Sequence, residues 1–246
     1  MTRIAHLTDV HLDGTAERRR RFEIALAQAA RSGAHLLLLT GDLTASGEAS
    51  ELAELSICLR PWPSWRLVVV PGNHDVGPRP WAETLHGTPG LERLASTSAP
   101  GAVTVMPDAV VLAIDTQFRR RAPIFGALGK VSAEQLSILE TLARPQDVAV
   151  IVAMHHPPQR SPLQPFDGLI NHEEVARLAG PHVSFLCGHD HRSLDVEFGP
   201  GRGRIFVAPS VAEADDPLRV YDVRGTRLVS VKAASAGQYM RGMLPF

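Results

Sequence analysis

An α/β fold is predicted for this 246-residue chain, and three features of the sequence predict it. Short apolar runs recur at residues 4–8, 35–39, 67–70, 109–114, 148–154 and 182–186, each too short for a helix of ordinary length. Stretches with a 3.6-residue apolar period lie between them, at 16–31, at 47–59 and from Ser132 onward. After residue 194 the helical spacing stops. Four more short runs, at 194–198, 204–208, 218–223 and 227–231, follow one another through Gly and Pro turns, as antiparallel hairpins do.

The first run ends in Asp9-Val10-His11, where Asp9 and His11 share a parity and point the same way. The helix at 16–31 places Phe22, Ala25, Leu26 and Ala29 on one stripe, with Gly33 as its stop. The second run leads into Thr40-Gly41-Asp42, and the helix at 47–59 ends before Pro61 and Pro63. Pro71 and Gly72 halt the run at 67–70, which leaves Asn73, His74 and Asp75 on the turn at its carboxyl end. Residues 76–107, rich in Pro and Gly, read as an irregular excursion with a short helix near 91–95. Ser132 and Gln135 form a capping box, and Asn171 to Glu174 a second one that opens a helix to Ala179. The run at 148–154 ends in His155-His156-Pro157-Pro158, and the run at 182–186 in Cys187-Gly188-His189-Asp190-His191. Segments 76–107 and 157–170 are expected at the rim of a pocket.

Composition bounds the function. Hydrophobic residues make up 44% of the chain, enough for a sizeable core, and one domain is read over 1–246, with 235–246 as a tail. A net charge of −1 provides no global field toward nucleic acid or an anionic membrane. Cys58 and Cys187 are far apart and form no CxxC pair, which points to reduced thiols in a cytoplasmic protein. No apolar run approaches the roughly 20 residues that span a bilayer, and the amino terminus enters a strand at once, so a soluble, unsecreted protein is expected.

Five strand ends therefore offer Asp9 with His11, Asp42, Asn73 with His74, His155, and His189 with His191. In open α/β sheets that edge is where ligands bind. Carboxylate, amide and imidazole side chains suit iron, manganese or zinc, and the absence of thiolates argues against a structural zinc site. His74 apart, the seven remaining candidate ligands exceed the needs of one ion. A pair of ions about 3.5–4 Å apart would use them and would suit an in-line displacement at phosphorus. Asn and Asp also serve turns for conformational reasons, but turn chemistry does not account for all five positions together.

The order Asp-x-His, Gly-Asp, Gly-Asn-His-Asp, a lone His and Gly-His-x-His resembles the calcineurin-like metallophosphoesterases, over residues 3 to 210. The resemblance implies a four-layer αββα sandwich of two mixed sheets with a dinuclear metal site at the strand carboxyl ends. It implies one metal held by Asp9, His11, Asp42 and His191, and a second held by Asp42, Asn73, His155 and His189, with Asp42 bridging. His74 would act on the phosphate or the leaving group, with Asp75 setting its tautomer, and the nucleophile would be a hydroxide shared by the metals. The Met154-His155-His156-Pro157-Pro158 turn, Asp115-Thr116, Gly126-Ala127-Leu128, Glu134-Gln135-Leu136 and Ala208-Pro209-Ser210 look similar to the class III cyclic-nucleotide and glycerophosphodiester branch. The chain ends early for that branch and has no room for a large cap; a homodimer stays open.

A phosphodiesterase for a small soluble diester is the expected function, with manganese, iron or zinc as cofactor. A nuclease, a phosphomonoesterase and a non-catalytic scaffold are the alternatives; near-neutral charge opposes the first of these, and the complete ligand set opposes the last. His155 is preferred over His156 as the ligand, His6 reads as a core or supporting residue, and His35, His86, His182 and His172 read as ordinary. Arg18 to Arg21 reads as a solvated helix face without the interleaved aromatics that stack bases, and Arg119 to Arg121 as a loop that could meet an anionic substrate.

Overall fold

The computed structural model describes residues 1–75, 77, 79–118, 127–161 and 166–231. The first half runs β1 (Arg3–Leu7), α1 (Ala16–Arg31), β2 (Leu36–Thr40), α2 (Ala49–Leu59), β3 (Leu67–Val70), α3 (Trp81–Gly87), α4 (Ala95–Ser98), β4 (Val103–Val105) and β5 (Ala109–Ala113). The second half runs β6 (Ala127–Gly129), α5 (Ala133–Leu142), β7 (Ala149–Ala153), β8 (Asp167–Leu169), α6 (His172–Arg177) and β9 (Val183–Cys187), then β10 (Leu194–Glu197), β11 (Arg204–Val207), β12 (Arg219–Arg224) and β13 (Arg227–Val231).

Two large mixed sheets form, ordered β13-β12-β1-β2-β3 and β10-β11-β9-β7-β5-β4, with β6 and β8 as a small parallel pair. The parallel strands are apolar on both faces because both faces are covered. In β2, Leu36 and Leu38 join Ile4, Val68, Val111, Ile151 and Phe206 in a core between the sheets. Leu37 and Leu39 instead meet Phe22, Leu26, Leu52 and Leu55 from α1 and α2. On the far side Leu112, Val150 and Phe185 pack with Leu139 of α5 and Val175 of α6. These three apolar seams make the four-layer αββα sandwich. Each of the four fully buried leucines of β2 contributes about 2 kcal/mol by leaving water.

Several expectations need correction. Residues 79–105 do not form an irregular pocket rim: Trp81, Leu85, Leu91 and Leu94 join the core, and prolines punctuate short helices rather than prevent them. This segment covers the free edge of β3. Trp81 Nε1 donates to Val69 O at 3.3 Å, Thr97 Oγ1 to Leu67 O at 2.8 Å, and Val69 N to Ser98 Oγ at 2.9 Å. The late strands make two hairpins, β10–β11 and β12–β13, but these join different sheets, and β11 also pairs parallel with β9.

Ser132 caps α5 by accepting from Gln135 N, while the Gln135 amide turns to the Asp115 backbone at 2.8 and 3.0 Å, so only half of that box forms. Asn171 makes no side-chain cap bond; its amide is spent on Val131 N and O. Arg18 and Arg21 are not simply solvated, for they donate to the carbonyls of Val211, Ala212 and Ala214 and fasten α1 to that loop. Arg119 to Arg121 and the tail at 235–246 lie outside the described residues. Among the described residues no helix is long and apolar enough to cross a membrane.

Candidate dinuclear metal centre

The parallel neighbours β1, β2 and β3 point their carboxyl ends at one edge, and β7 and β9 of the second sheet end beside them. Backbone bonds lace these ends together: Asp9 N to Gly41 O at 3.0 Å, His11 N to Asp42 O at 2.9 Å and Gly188 N to His155 O at 3.0 Å. His155 Nδ1 bonds Thr40 O at 2.8 Å, which ties one sheet to the other.

Asp9, His11, Asp42, His189 and His191 are the five non-glycine residues with positive φ among the described residues. Left-handed backbone costs such residues of order 1–3 kcal/mol each and persists only where its surroundings fix it. Here Asp42 Oδ1 accepts from His74 N at 2.8 Å, and Asp9 Oδ2 from His189 N at 3.1 Å. The motif glycines serve the same close approach. A Cβ on Gly72 would strike the Asp42 carboxylate and backbone, and one on Gly188 would strike Thr8 Oγ1 and Asp9 Oδ2.

Two donor clusters result. Asp9, His11, Asp42 and His191 each bring one donor atom within 4.8 Å of the others, and His155, His156 and His189 do the same. Asp42 links the clusters, with Oδ2 at 3.9 Å from His11 Nε2 and 3.3 Å from His155 Nε2. Asn73 Oδ1 lies 3.2 Å from His155 Nε2, so it joins the second group. His11 Nε2 and His191 Nε2 approach to 3.3 Å, and His191 Nε2 lies 3.2 Å from Asp9 Oδ1.

The outer nitrogens are already committed. A carbonyl only accepts, so His155 Nδ1 donates to Thr40 O and its Nε2 is left facing two oxygen acceptors. Burial opposes the charge on His155, yet Asp42, Asp9 and the Thr40 carbonyl raise its pKa to about 10. His191 is raised to about 9 by its bond to Asp9, against partial burial and with Glu213 assisting. Burial works against the Asp42 carboxylate, but His155 and the His74 backbone N–H hold its pKa below the ordinary value. Burial lowers His11 despite Asp42 and Asp9. This donor set, oxygen against nitrogen lone pairs around a shared carboxylate, fits a pair of borderline cations.

Not every site expectation is met. Asp75 is not the hydrogen-bond partner of the His74 ring, whose Nδ1 is held by Ala45 O. It is buried and accepts from Leu43 N, Thr44 N, Thr44 Oγ1 and Gly72 N, so it braces the turn that carries Asp42. Burial, with Asp42 adding to it, raises its pKa to about 6. The His74 ring is exposed and donates from Nδ1 to Ala45 O at 2.9 Å, with its centroid 4.8 Å from that of His11. His6 is a buried supporting residue whose Nε2 meets Thr40 Oγ1 at 2.7 Å, and His172 bonds Leu169 O. His156, not preferred on motif position, lies in the second cluster, held by Thr116 Oγ1 at 2.8 Å. Among the described residues its buried Nε2 has no hydrogen-bond partner.

Two further residues escape sequence reasoning. Asp167 Oδ1 lies 2.6 Å from His189 Nε2, and Glu213 Oε1 lies 3.0 Å from His191 Nδ1. Neither belongs to a motif, and no local signal marks them.

The fold is shared widely. A dimetal phosphatase from Danio rerio superposes with a TM-score of 0.68 at 14% identity, covering 95% of this chain and 99% of that one. A protein from Thermus thermophilus does so at 0.63 and 15%, with the same coverage. A phosphopantetheinyl hydrolase from Mycobacterium tuberculosis does so at 0.54 and 12%, covering 92% of this chain and 95% of that one. No curated protein matches the sequence. The family model of the calcineurin-like phosphoesterases matches residues 2–193, the span that carries all five strand-end motifs, and the chain belongs to that family.

Proposed function

We propose that this phosphoesterase is a dinuclear metal phosphodiesterase acting on a small soluble diester such as a cyclic nucleotide or a glycerophosphodiester. The observation that carries the dinuclear reading is Asp42, whose Oδ2 stands between His11 Nε2 and His155 Nε2 at 3.9 and 3.3 Å. In this reading Asp9, His11, Asp42 and His191 hold one ion, and Asp42, Asn73, His155 and His189 hold the other. Manganese, iron and zinc all suit these donors. Bound there, such ions supply Lewis-acid polarisation of the phosphoryl oxygens and an acidified water.

The protein's own contribution is positioning and proton transfer. His74 donates from Nδ1 to Ala45 O, so in its imidazolium form the exposed ring offers the Nε2–H to a phosphate oxygen or to the leaving group. Asp75 keeps the Asp42 turn in place through four donors from residues 43, 44 and 72. The preference for a diester rests on the likeness of the His155-His156-Pro157-Pro158 turn and its companions to the class III branch. The buried, unpaired cysteines are consistent with a single-domain cytoplasmic enzyme.

Purified protein reconstituted with manganese is expected to hydrolyse bis(p-nitrophenyl) phosphate. Because loss of a supporting residue alone costs roughly 10–100-fold, Asp42→Asn and Asn73→Ala should lose at least about 100-fold while the circular dichroism spectrum is retained. Wild-type turnover in either variant would end the dinuclear reading. Faster hydrolysis of p-nitrophenyl phosphate than of cyclic AMP or any glycerophosphodiester would replace the diester assignment with a monoester one.

A further inference from the structure

We infer that Asp167 is a positioning residue of the metal centre, holding the His189 imidazole in the tautomer that leaves Nδ1 as its one free lone pair. This rests on the dinuclear reading above. Asp167 opens β8, which pairs in parallel with β6, and the small sheet is tied to the strand end after β5 by the bridge between Gln117 and Gly129. Both carboxylate oxygens are engaged: Oδ1 lies 2.6 Å from His189 Nε2, and Oδ2 accepts from Ser161 Oγ at 3.0 Å. An ionised carboxylate only accepts, so the hydrogen in the first contact belongs to Nε2. A ring committed in this way can bind a cation only through Nδ1.

His191, two residues on, is held the other way round. Its Nδ1 faces Glu213 and its Nε2 faces Asp9, so the two histidines of one motif present opposite nitrogens. The Asp167 contact is the better enclosed, with side-chain exposures of 10% and 22% for His189 and Asp167, against 31% and 60% for His191 and Glu213. A hydrogen bond shielded from water fixes a ring more firmly than one that water contests. Carboxylates placed behind metal-binding histidines set the tautomer and raise ligand basicity, and their loss typically costs roughly 10–100-fold in metal affinity.

Zinc binding by competition calorimetry, together with long-range 15N–1H spectra of histidine-labelled protein, tests this. Wild-type protein is expected to take up two zinc ions, and the ring whose signals vanish in His189→Ala should carry its hydrogen on Nε2. Asp167→Ala should weaken the second zinc roughly 10–100-fold and lose that slowly exchanging Nε2–H, while Asp167→Asn, whose amide oxygen still accepts, recovers part of both. Asp167→Asn also serves if the alanine variant folds poorly. Two zinc ions bound within twofold of wild type by Asp167→Ala, or a His189 ring protonated on Nδ1, would overturn the role of Asp167 alone. A wild-type protein that binds no zinc would overturn the dinuclear reading with it.

Discussion

His155 Nε2 lies 3.3 Å from Asp42 Oδ2 while its Nδ1 is bound to Thr40 O, so the inner nitrogen must carry either a proton or a metal. Burial alone would keep the ring neutral, and the neighbouring carboxylates overcome it. His191 is in the same position against Asp9. With pKa values raised to about 10 and about 9, both rings are charged at pH 7.5 in the metal-free protein. Metal ligands must be neutral imidazoles, so uptake of the metal pair should release about two protons. Calorimetry in two buffers of different ionisation enthalpy measures that number, and apparent affinity should rise with pH until about 9–10. Metal uptake without proton release would show that the rings are already neutral.

His74 is the exposed acid candidate, fixed through Nδ1. If it protonates the leaving group, His74→Ala should slow turnover of a substrate with an alkoxide leaving group by about 100-fold or more. A p-nitrophenolate leaving group needs no proton and should suffer much less. Metal content should not change. Equal losses on both substrates would assign His74 to charge stabilisation on the phosphate instead.

Gly72 and Asp42 are in direct apposition, since a Cβ at residue 72 would meet the carboxylate and the backbone nitrogen of residue 42. The backbone nitrogen cannot step aside, and the carboxylate is held by the His74 N–H at 2.8 Å. Gly72→Ala should destabilise the fold by about 1–3 kcal/mol, the usual cost of overpacking, and should displace the carboxylate that links the two clusters. Urea unfolding and metal stoichiometry check both halves. A variant with wild-type stability and two bound metals would show that the turn relaxes.

How much of this is legible in the sequence depends on how far each residue reaches. The helix at Ala16–Arg31 and the strand Leu67–Val70 carry their own period and stop signals, and the sequence bounds agree with the structure. The strand-end motifs are legible because their residue types are costly to place together for any purpose but ligation. Asp167 and Glu213 are not, because a lone carboxylate is defined by a partner 22 residues away in each case. Asp75 misleads for the converse reason. Adjacency to His74 suggests a pair, while three of its four donors lie far back in the chain, at Leu43 and Thr44. The segment containing Trp81 reads as irregular because Gly and Pro dominate it locally, and only the free edge of β3 explains why it orders.

His6 provides a test of the buried layer beneath the site. Its ring is fully buried against Thr40 Oγ1, and burial pulls its pKa from 6.5 down to about 3 despite the nearby Asp9 charge. The folded state therefore binds the proton more weakly than the unfolded chain does. The stability that goes with the neutral ring is complete above pH 6.5 and declines as pH falls from there toward 3. The slope for one such group is roughly 1.4 kcal/mol per pH unit across that window. Urea midpoints of chelated protein between pH 7 and 5 should fall more steeply for wild type than for His6→Asn, which keeps a polar partner for Thr40 but does not titrate. Parallel slopes would mean that the ring is protonated in the fold, with Asp9 outweighing its burial.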